Sequence, residues 1–133
     1  MKLYFDSSAI VKVIQLETES PSLFEFLELH SEDQVVTSAL ARVEVARSLY
    51  GADQNCFALM KRHFSRMMTI AIDAEILERA ASMLPGARLR SLDAIHLASA
   101  MAVGDGLRSV VTYDARMLDA ARVVGLRVSS PAP

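Results

Sequence analysis

Short apolar stretches alternate with longer stretches of helical periodicity, and this alternation constrains the fold more than any other feature. Lys2–Phe5 is short and aromatic, which reads as a strand. Ser7–Leu16 carries Ile10, Val11, Val13 and Ile14 at positions that suit a helix. Pro21 fits the first turn of a second helix reaching about His30, with Leu23, Phe24, Phe26 and Leu27 on its buried side. Gln34–Thr37 reads as a strand. Thr37 or Ser38 can cap a helix running to about Tyr50, where Gly51 ends it. Residues 54–67 space Phe57, Met60 and Phe64 as one face of a helix. Met68–Ile72 reads as a strand, and Asp73 as the N-cap of a helix over 74–84 that Pro85-Gly86 stops. Ser91 can cap a helix through Val103 that Gly104 closes. Ser109–Thr112 is a strand, Ala115–Val124 a helix closed by Gly125, and Leu126–Ser129 a last short strand.

Strands separated by helices imply parallel pairing, because a parallel neighbour is reached only through a crossover. The expected fold is α/β: one domain over residues 1–130, with about five parallel strands and helices on both faces. Residues 131–133, Pro-Ala-Pro, are expected to fray. The 133 residues suffice for one core, and 52% apolar with 23% charged residues excludes a disordered chain. Cys56 is the single cysteine, which excludes an intramolecular disulfide and a cysteine-based zinc site. It reads as a small core hydrophobe. Asp6 interrupts the apolar start before a secretory h-region can develop, and no stretch suits a membrane span, so the cytoplasm is the expected compartment.

The formal charge of -2 argues against gripping nucleic acid through overall positive charge, but it is silent on local patches. Basic residues divide into eleven Arg and three Lys, a skew that permits bidentate phosphate recognition.

Open parallel sheets bind ligands beyond the carboxyl ends of their strands. Asp6 directly follows the first strand and Asp114 follows the fourth. Asp93 lies in the first turn of the helix after Ser91, and Glu44 sits mid-helix among apolar neighbours. Each has an ordinary reading: Asp6 and Asp114 as helix caps, Asp93 as an acid complementing a helix dipole, Glu44 as an i,i+3 partner of Arg47. Together they suggest something else. Carboxylates converging in one crevice repel one another unless a hard cation neutralises them. Mg²⁺ and Mn²⁺ take oxygen ligands, and Mg²⁺ readily meets substrate phosphates. The pattern therefore suggests metal-dependent phosphoryl chemistry.

At these acids the chain resembles the PIN-domain ribonucleases, specifically the VapC-type toxins of bacterial toxin–antitoxin pairs. The matching stretches are Leu3-Tyr4-Phe5-Asp6-Ser7-Ser8-Ala9, Ser38-Ala39-Leu40-Ala41-Arg42-Val43-Glu44, Leu92-Asp93-Ala94-Ile95-His96-Leu97-Ala98 and Val111-Thr112-Tyr113-Asp114. They run through nearly the whole chain in the family's order, and Leu92–Ala98 is the most distinctive. The resemblance implies a pocket of Asp6, Glu44, Asp93 and Asp114 that binds Mg²⁺ or Mn²⁺. It implies endonucleolytic cleavage of RNA by a metal-activated water, leaving 5′-phosphate and 3′-hydroxyl ends. Asp6 and Asp93 look like the principal ligands. Asp114 looks like a ligand or orienter, and Glu44 a ligand through water or an activator of the nucleophile. Also implied are a homodimer and a small antitoxin whose tail covers the pocket; the lack of a spanning stretch leaves no membrane partner expected.

Ser8 and Thr112 match hydroxyl positions that brace the acids in similar proteins, although local backbone bonding is an equal alternative. His96, one turn beyond Asp93, reads as a satisfied, partly buried histidine rather than a base. His30 and His63 read as exposed. Lys61, Arg62 and Arg66 form a basic helix segment, a solvated face by default and an RNA-backbone contact by hypothesis. Arg88 and Arg90 flank the approach to Asp93, and Arg116 follows Asp114; each is a phosphate clamp or an ordinary acid partner.

Three other readings compete. A phosphoacceptor receiver needs an acid pair after strand one and a late Lys, but Ser7-Ser8 follow Asp6 and no Lys follows Lys61. A haloacid-dehalogenase-type phosphatase needs an Asp where Ser8 stands. A PIN fold serving only as a non-catalytic binding module is the remaining alternative, and retention of all four acids argues against it. With those four set aside, the formal charge of the rest of the chain changes from -2 to +2.

Overall fold

The computed structural model describes residues 1–86 and 89–133. Five strands form one wholly parallel sheet in the order β3-β2-β1-β4-β5. They are β1 (Lys2–Phe5), β2 (Gln34–Ser38), β3 (Met68–Ile70), β4 (Leu107–Val111) and β5 (Val128–Ser129). The helices are α1 (Ser7–Ile14), α2 (Ser20–Leu29), α3 (Leu40–Ser48), α4 (Gln54–Arg66), α5 (Ala74–Ser82), α6 (Ser91–Val103) and α7 (Ala115–Val123). A short 3-10 turn, Gly104–Gly106, joins α6 to β4.

Side chains alternate across a strand, so β1 feeds two half-cores. Leu3 and Phe5, with Val111 of β4, pack against Ile10, Val13 and Ile14 of α1, Leu23 of α2, Val45 of α3 and Phe64 of α4. Tyr4, Val36 and Val110 face the other way, onto Leu97 and Ala100 of α6 and Met117 and Ala121 of α7. Both faces of the central strands are therefore covered, as expected for a parallel sheet.

Most boundaries fall within two residues of the sequence expectation. Asp73 caps α5 by accepting from Ile76 N at 2.9 Å. Pro21 lies in the first turn of α2. Four details differ. The cap of α6 is Arg90, whose side chain makes no capping bond, and Ser91 is already helical. Ser38 accepts from Leu40 N at 3.1 Å, but Thr37 instead donates to the Phe5 carbonyl. Phe24 is 37% exposed, because α2 buries chiefly Leu23 while Phe26 and Leu27 are partly covered. His30 and His63 are half-buried rather than exposed. Cys56 is free and partly buried. Among the described residues no helix is long and apolar enough to cross a membrane.

The strand order decides where a ligand can bind. From β1 the chain winds outward to β2 and β3, then returns to lay β4 and β5 on the opposite side. The reversal leaves a crevice between the carboxyl ends of β1 and β4, where open α/β sheets bind ligands.

Candidate active site

Asp6 and Asp114 reach this crevice from its two walls. Phe5 pairs with Val111, and Asp6 N donates to the Val111 carbonyl at 3.3 Å. The next residues along each strand therefore meet. Asp6 is only 6% exposed. Its Oδ1 accepts from Ser8 Oγ at 2.6 Å and from Ala9 N at 3.1 Å, and its Oδ2 accepts from the Thr112 hydroxyl. Burial raises the Asp6 carboxyl above its ordinary range, and the Ser8 and Thr112 hydroxyls partly offset it. Asp6 is thus the cap of α1, as one sequence reading has it, and the same carboxylate is braced by side-chain hydroxyls in the crevice.

Ser8 and Thr112 tie the two walls together. Ser8 Oγ also accepts from Tyr113 N at 2.9 Å, and Thr112 Oγ1 accepts from Asp114 N at 3.1 Å. Asp114 turns back to cap α7, accepting from Arg116 N at 2.9 Å. One hydroxyl, that of Thr112, therefore links Asp6 to the backbone of Asp114.

Glu44 comes from the second turn of α3. Its Oε1 accepts from Ser7 Oγ at 2.6 Å and lies 2.5 Å from His96 Nε2. His96 Nδ1 lies 2.7 Å from the Tyr4 hydroxyl. Burial, with the Asp6 and Glu44 carboxylates adding to it, raises that hydroxyl well above its ordinary value. The Tyr4 hydroxyl therefore keeps its proton and can donate it to Nδ1, and an imidazole that accepts at Nδ1 carries its single N–H on Nε2, facing Glu44. Burial works against the charge on Glu44, but the bonds from His96 and Ser7 outweigh it and hold the carboxyl below its usual value. Glu44 makes no ion pair with Arg47; its partners come from α1 and α6.

Asp93 enters on the first turn of α6, one turn before His96. Arg90 Nε lies 3.5 Å from Oδ2, an ion pair rather than a hydrogen bond. That oxygen is shielded from solvent and has no hydrogen-bond partner among the described residues. A buried carboxylate oxygen without a hydrogen bond is costly, and the exposed Arg90 guanidinium at 3.5 Å offsets that cost only in part.

The four acids thus reach one edge of the sheet, but they do not form a ready-made cage. Among the described residues no three His, Cys, Asp or Glu side chains are grouped to hold one ion. Asp6, Glu44 and Asp114 are each engaged with protein donors. Mg²⁺ tolerates such a site, because it binds through one or two carboxylates and fills its octahedron with water and substrate phosphate. Lys61, Arg62 and Arg66 are exposed on α4, and Arg116 is exposed at the start of α7. Arg88 lies outside the described residues.

The family model of the PIN domain matches residues 3–123. The chain belongs to the PIN-domain family. Within it the chain groups with VapC-type ribonucleases. Ribonuclease VapC46 of Mycobacterium tuberculosis is 40% identical over 129 residues, spanning 97% of each chain. Ribonuclease VapC35 of the same species is 38% identical over 131 residues, spanning 97% of this chain and 96% of its own. Among solved structures, VapBC2 of Rickettsia felis bound to a promoter DNA fragment superposes with a TM-score of 0.75. At 15% identity, covering 97% of this chain and 98% of that one, this likeness concerns the fold.

In this PIN domain the clamp on Glu44 is not legible in the sequence, where Ser7 reads as a neighbour of Asp6 and Tyr4 as one residue of an aromatic strand. His96 is satisfied and buried, as expected, yet its partner is one of the site acids. The only signal in the sequence was its position one helical turn after Asp93.

Proposed function

We propose that this PIN domain is a Mg²⁺-dependent endoribonuclease, with Mn²⁺ able to substitute, that hydrolyses RNA phosphodiester bonds as the toxin of a toxin–antitoxin pair. The observation that carries the metal reading is Asp93, whose buried Oδ2 accepts no hydrogen bond among the described residues and has only the exposed Arg90 guanidinium beside it, at the same sheet edge as Asp6. Asp6, Asp93, Asp114 and Glu44 are the residues that would hold the ion and the reacting groups. When bound, the ion would acidify a water and neutralise charge developing on the scissile phosphate.

The chain's own residues supply orientation. Ser8, Ala9 N and Thr112 hold the Asp6 carboxylate in one pose, so little ordering remains when a ligand arrives. Ser7 and His96 both bond Oε1 of Glu44, which leaves Oε2 without a protein partner among the described residues. That oxygen can accept a proton or hold a water at the phosphate. Arg90, beside Asp93, and exposed Arg116, two residues after Asp114, are the phosphate contacts on this reading. Lys61, Arg62 and Arg66 are further backbone contacts on this reading. A homodimer in the cytoplasm, silenced by a small antitoxin that covers the pocket, completes the proposal. A non-catalytic binding module gains no support, since the relatives spanning nearly the full chain are named ribonucleases.

The test is RNA cleavage by the purified chain, compared with Asp6→Asn and Asp93→Asn, with and without EDTA, alongside calorimetric titration with Mn²⁺. The wild type should cleave and bind Mn²⁺, and both variants should lose the two properties together. Cleavage that survives EDTA, or equal cleavage by the variants, would overturn the assignment.

A further inference from the structure

At the outer edge of the sheet the fold gathers cations that the sequence keeps apart. A groove of about 560 Å³ runs beside β5, walled by His30 at the end of α2, Arg108 and Ser109 of β4, Arg122 of α7, Arg127 and Ser129. In a chain of net charge -2, three guanidinium groups from separate segments face one groove. They differ in how far they are already engaged. Arg108 is hydrogen-bonded to Asp33, which also takes the N-terminal amine at 3.0 Å. Arg122 lies 3.9 Å from Asp119 with both side chains well exposed, a pairing that solvent makes weak. Arg127 joins no ion pair among the described residues. Two positive charges therefore remain to neutralise a ligand.

The groove adjoins the acid site only at its Ser129 end, while its cations stand toward the amino-terminal ends of β4 and β5. Strands β4 and β5 are parallel and both end at the active-site edge. The Ser129 carbonyl accepts from Thr112 N at 3.2 Å, and Thr112 in turn donates to Asp6. Ser129 Oγ donates to Ser109 Oγ at 3.0 Å, lining the groove with hydroxyls. Arg127 stands two residues behind Ser129, roughly 6–7 Å back along the strand. On the α2 wall the rings of Phe26 and His30 pair edge to face, with centroids 4.6 Å apart. Spaced cations, hydroxyl donors and an aromatic wall are the parts from which single-strand tracks are built.

We propose that this groove is a track for single-stranded RNA, in which Arg122 and Arg127 neutralise phosphates of the substrate away from the scissile bond. The proposal rests on the ribonuclease reading and adds a second contact zone to it. Among the described residues, none of the basic side chains expected from the sequence to meet RNA lines this groove.

Salt-dependent binding tests it. A fluorescent 20-nucleotide single-stranded RNA is titrated with the full chain in EDTA at stepped salt concentrations. Each phosphate contact on a single strand contributes about 0.7 to the slope of log K against log salt. Arg122→Ser with Arg127→Ser should make the slope shallower by about 1.4. Arg122→Lys with Arg127→Lys should keep it, because the charges remain. Arg47→Ser with Arg79→Ser removes the same charge from exposed sites on α3 and α5, and should leave the slope nearly unchanged. Absence of RNA binding by the wild type, an unchanged slope in the Ser pair, or an equal change in the α3/α5 control overturns the track. Cleavage in Mg²⁺ is measured separately. A wild type that binds with the expected slope but never cleaves RNA refutes the ribonuclease reading instead.

Discussion

Removing one hydroxyl from the middle of β1, by Tyr4→Phe, should loosen the clamp that holds Glu44. Tyr4 is fully buried, and its hydroxyl lies 2.7 Å from Nδ1 of His96, which is 4% exposed. Phenylalanine keeps the ring and its packing, so the cavity term is that of a single oxygen. The energetic consequence lies with the imidazole. Nδ1 loses its donor where water cannot easily replace it, which costs about 1–3 kcal/mol. With a urea m-value of about 2 kcal/mol per M, the unfolding midpoint should fall by roughly 0.5–1.5 M at unchanged m. Long-range ¹⁵N NMR of the imidazole provides the second readout. The wild type should carry its proton on Nε2, and Tyr4→Phe should populate the other tautomer. Activity follows from the same geometry. His96→Leu removes the donor to Glu44 and should lower RNA cleavage about 10–100-fold, as loss of partners that orient metal-site residues usually does. His96→Gln can still offer an amide N–H to Oε1 and should recover part of it. An unchanged or raised midpoint in Tyr4→Phe, or a wild-type imidazole protonated on Nδ1 alone, refutes the reasoning.

Two further predictions concern the fold. The Arg108 guanidinium beside Asp33 holds its carboxyl at about 2, against the opposing effect of burial and with help from the N-terminal amine. A depressed carboxylate pKa stabilises the fold above its unfolded value of about 3.9, and that contribution disappears as pH falls toward the folded value. The stability gap between wild type and Asp33→Asn should therefore be full at pH 5 and close progressively toward pH 2. Urea midpoints across that range check it, and a gap independent of pH speaks against the pairing. Leu97→Ala removes a fully buried side chain between α6 and the sheet, and should destabilise by about 2–5 kcal/mol in the same assay. A change below about 1 kcal/mol would mean that this half-core collapses around the void.

Much of this molecule could be read one residue at a time. Element identity follows from local periodicity, and a cap such as Asp73 bonds a backbone N–H three residues away. The positions of Asp6 and Asp114 at strand ends are equally local facts. Helix starts are less legible: Ser91 has capping chemistry, yet the backbone turns at Arg90. What lay outside the sequence were contacts between elements far apart in the chain. Tyr4 and His96 are 92 residues apart, and Glu44 and His96 are 52 apart. Arg108, Arg122 and Arg127 belong to different segments and share a groove only because β5 lies beside β4. Periodicity specifies which face of an element is buried and leaves open which neighbour buries it. Strand order makes that choice, since the reversal of winding at β1 and β4 brings Asp6 to Thr112 and lays α6 where His96 can reach both Tyr4 and Glu44. By itself the sequence determined an α/β chain with acids at strand ends, in the first turn of one helix and in the middle of another. The tertiary structure decided which of those acids are braced, by which hydroxyls and which imidazole, because hydrogen-bond geometry is satisfied in space and not along the chain.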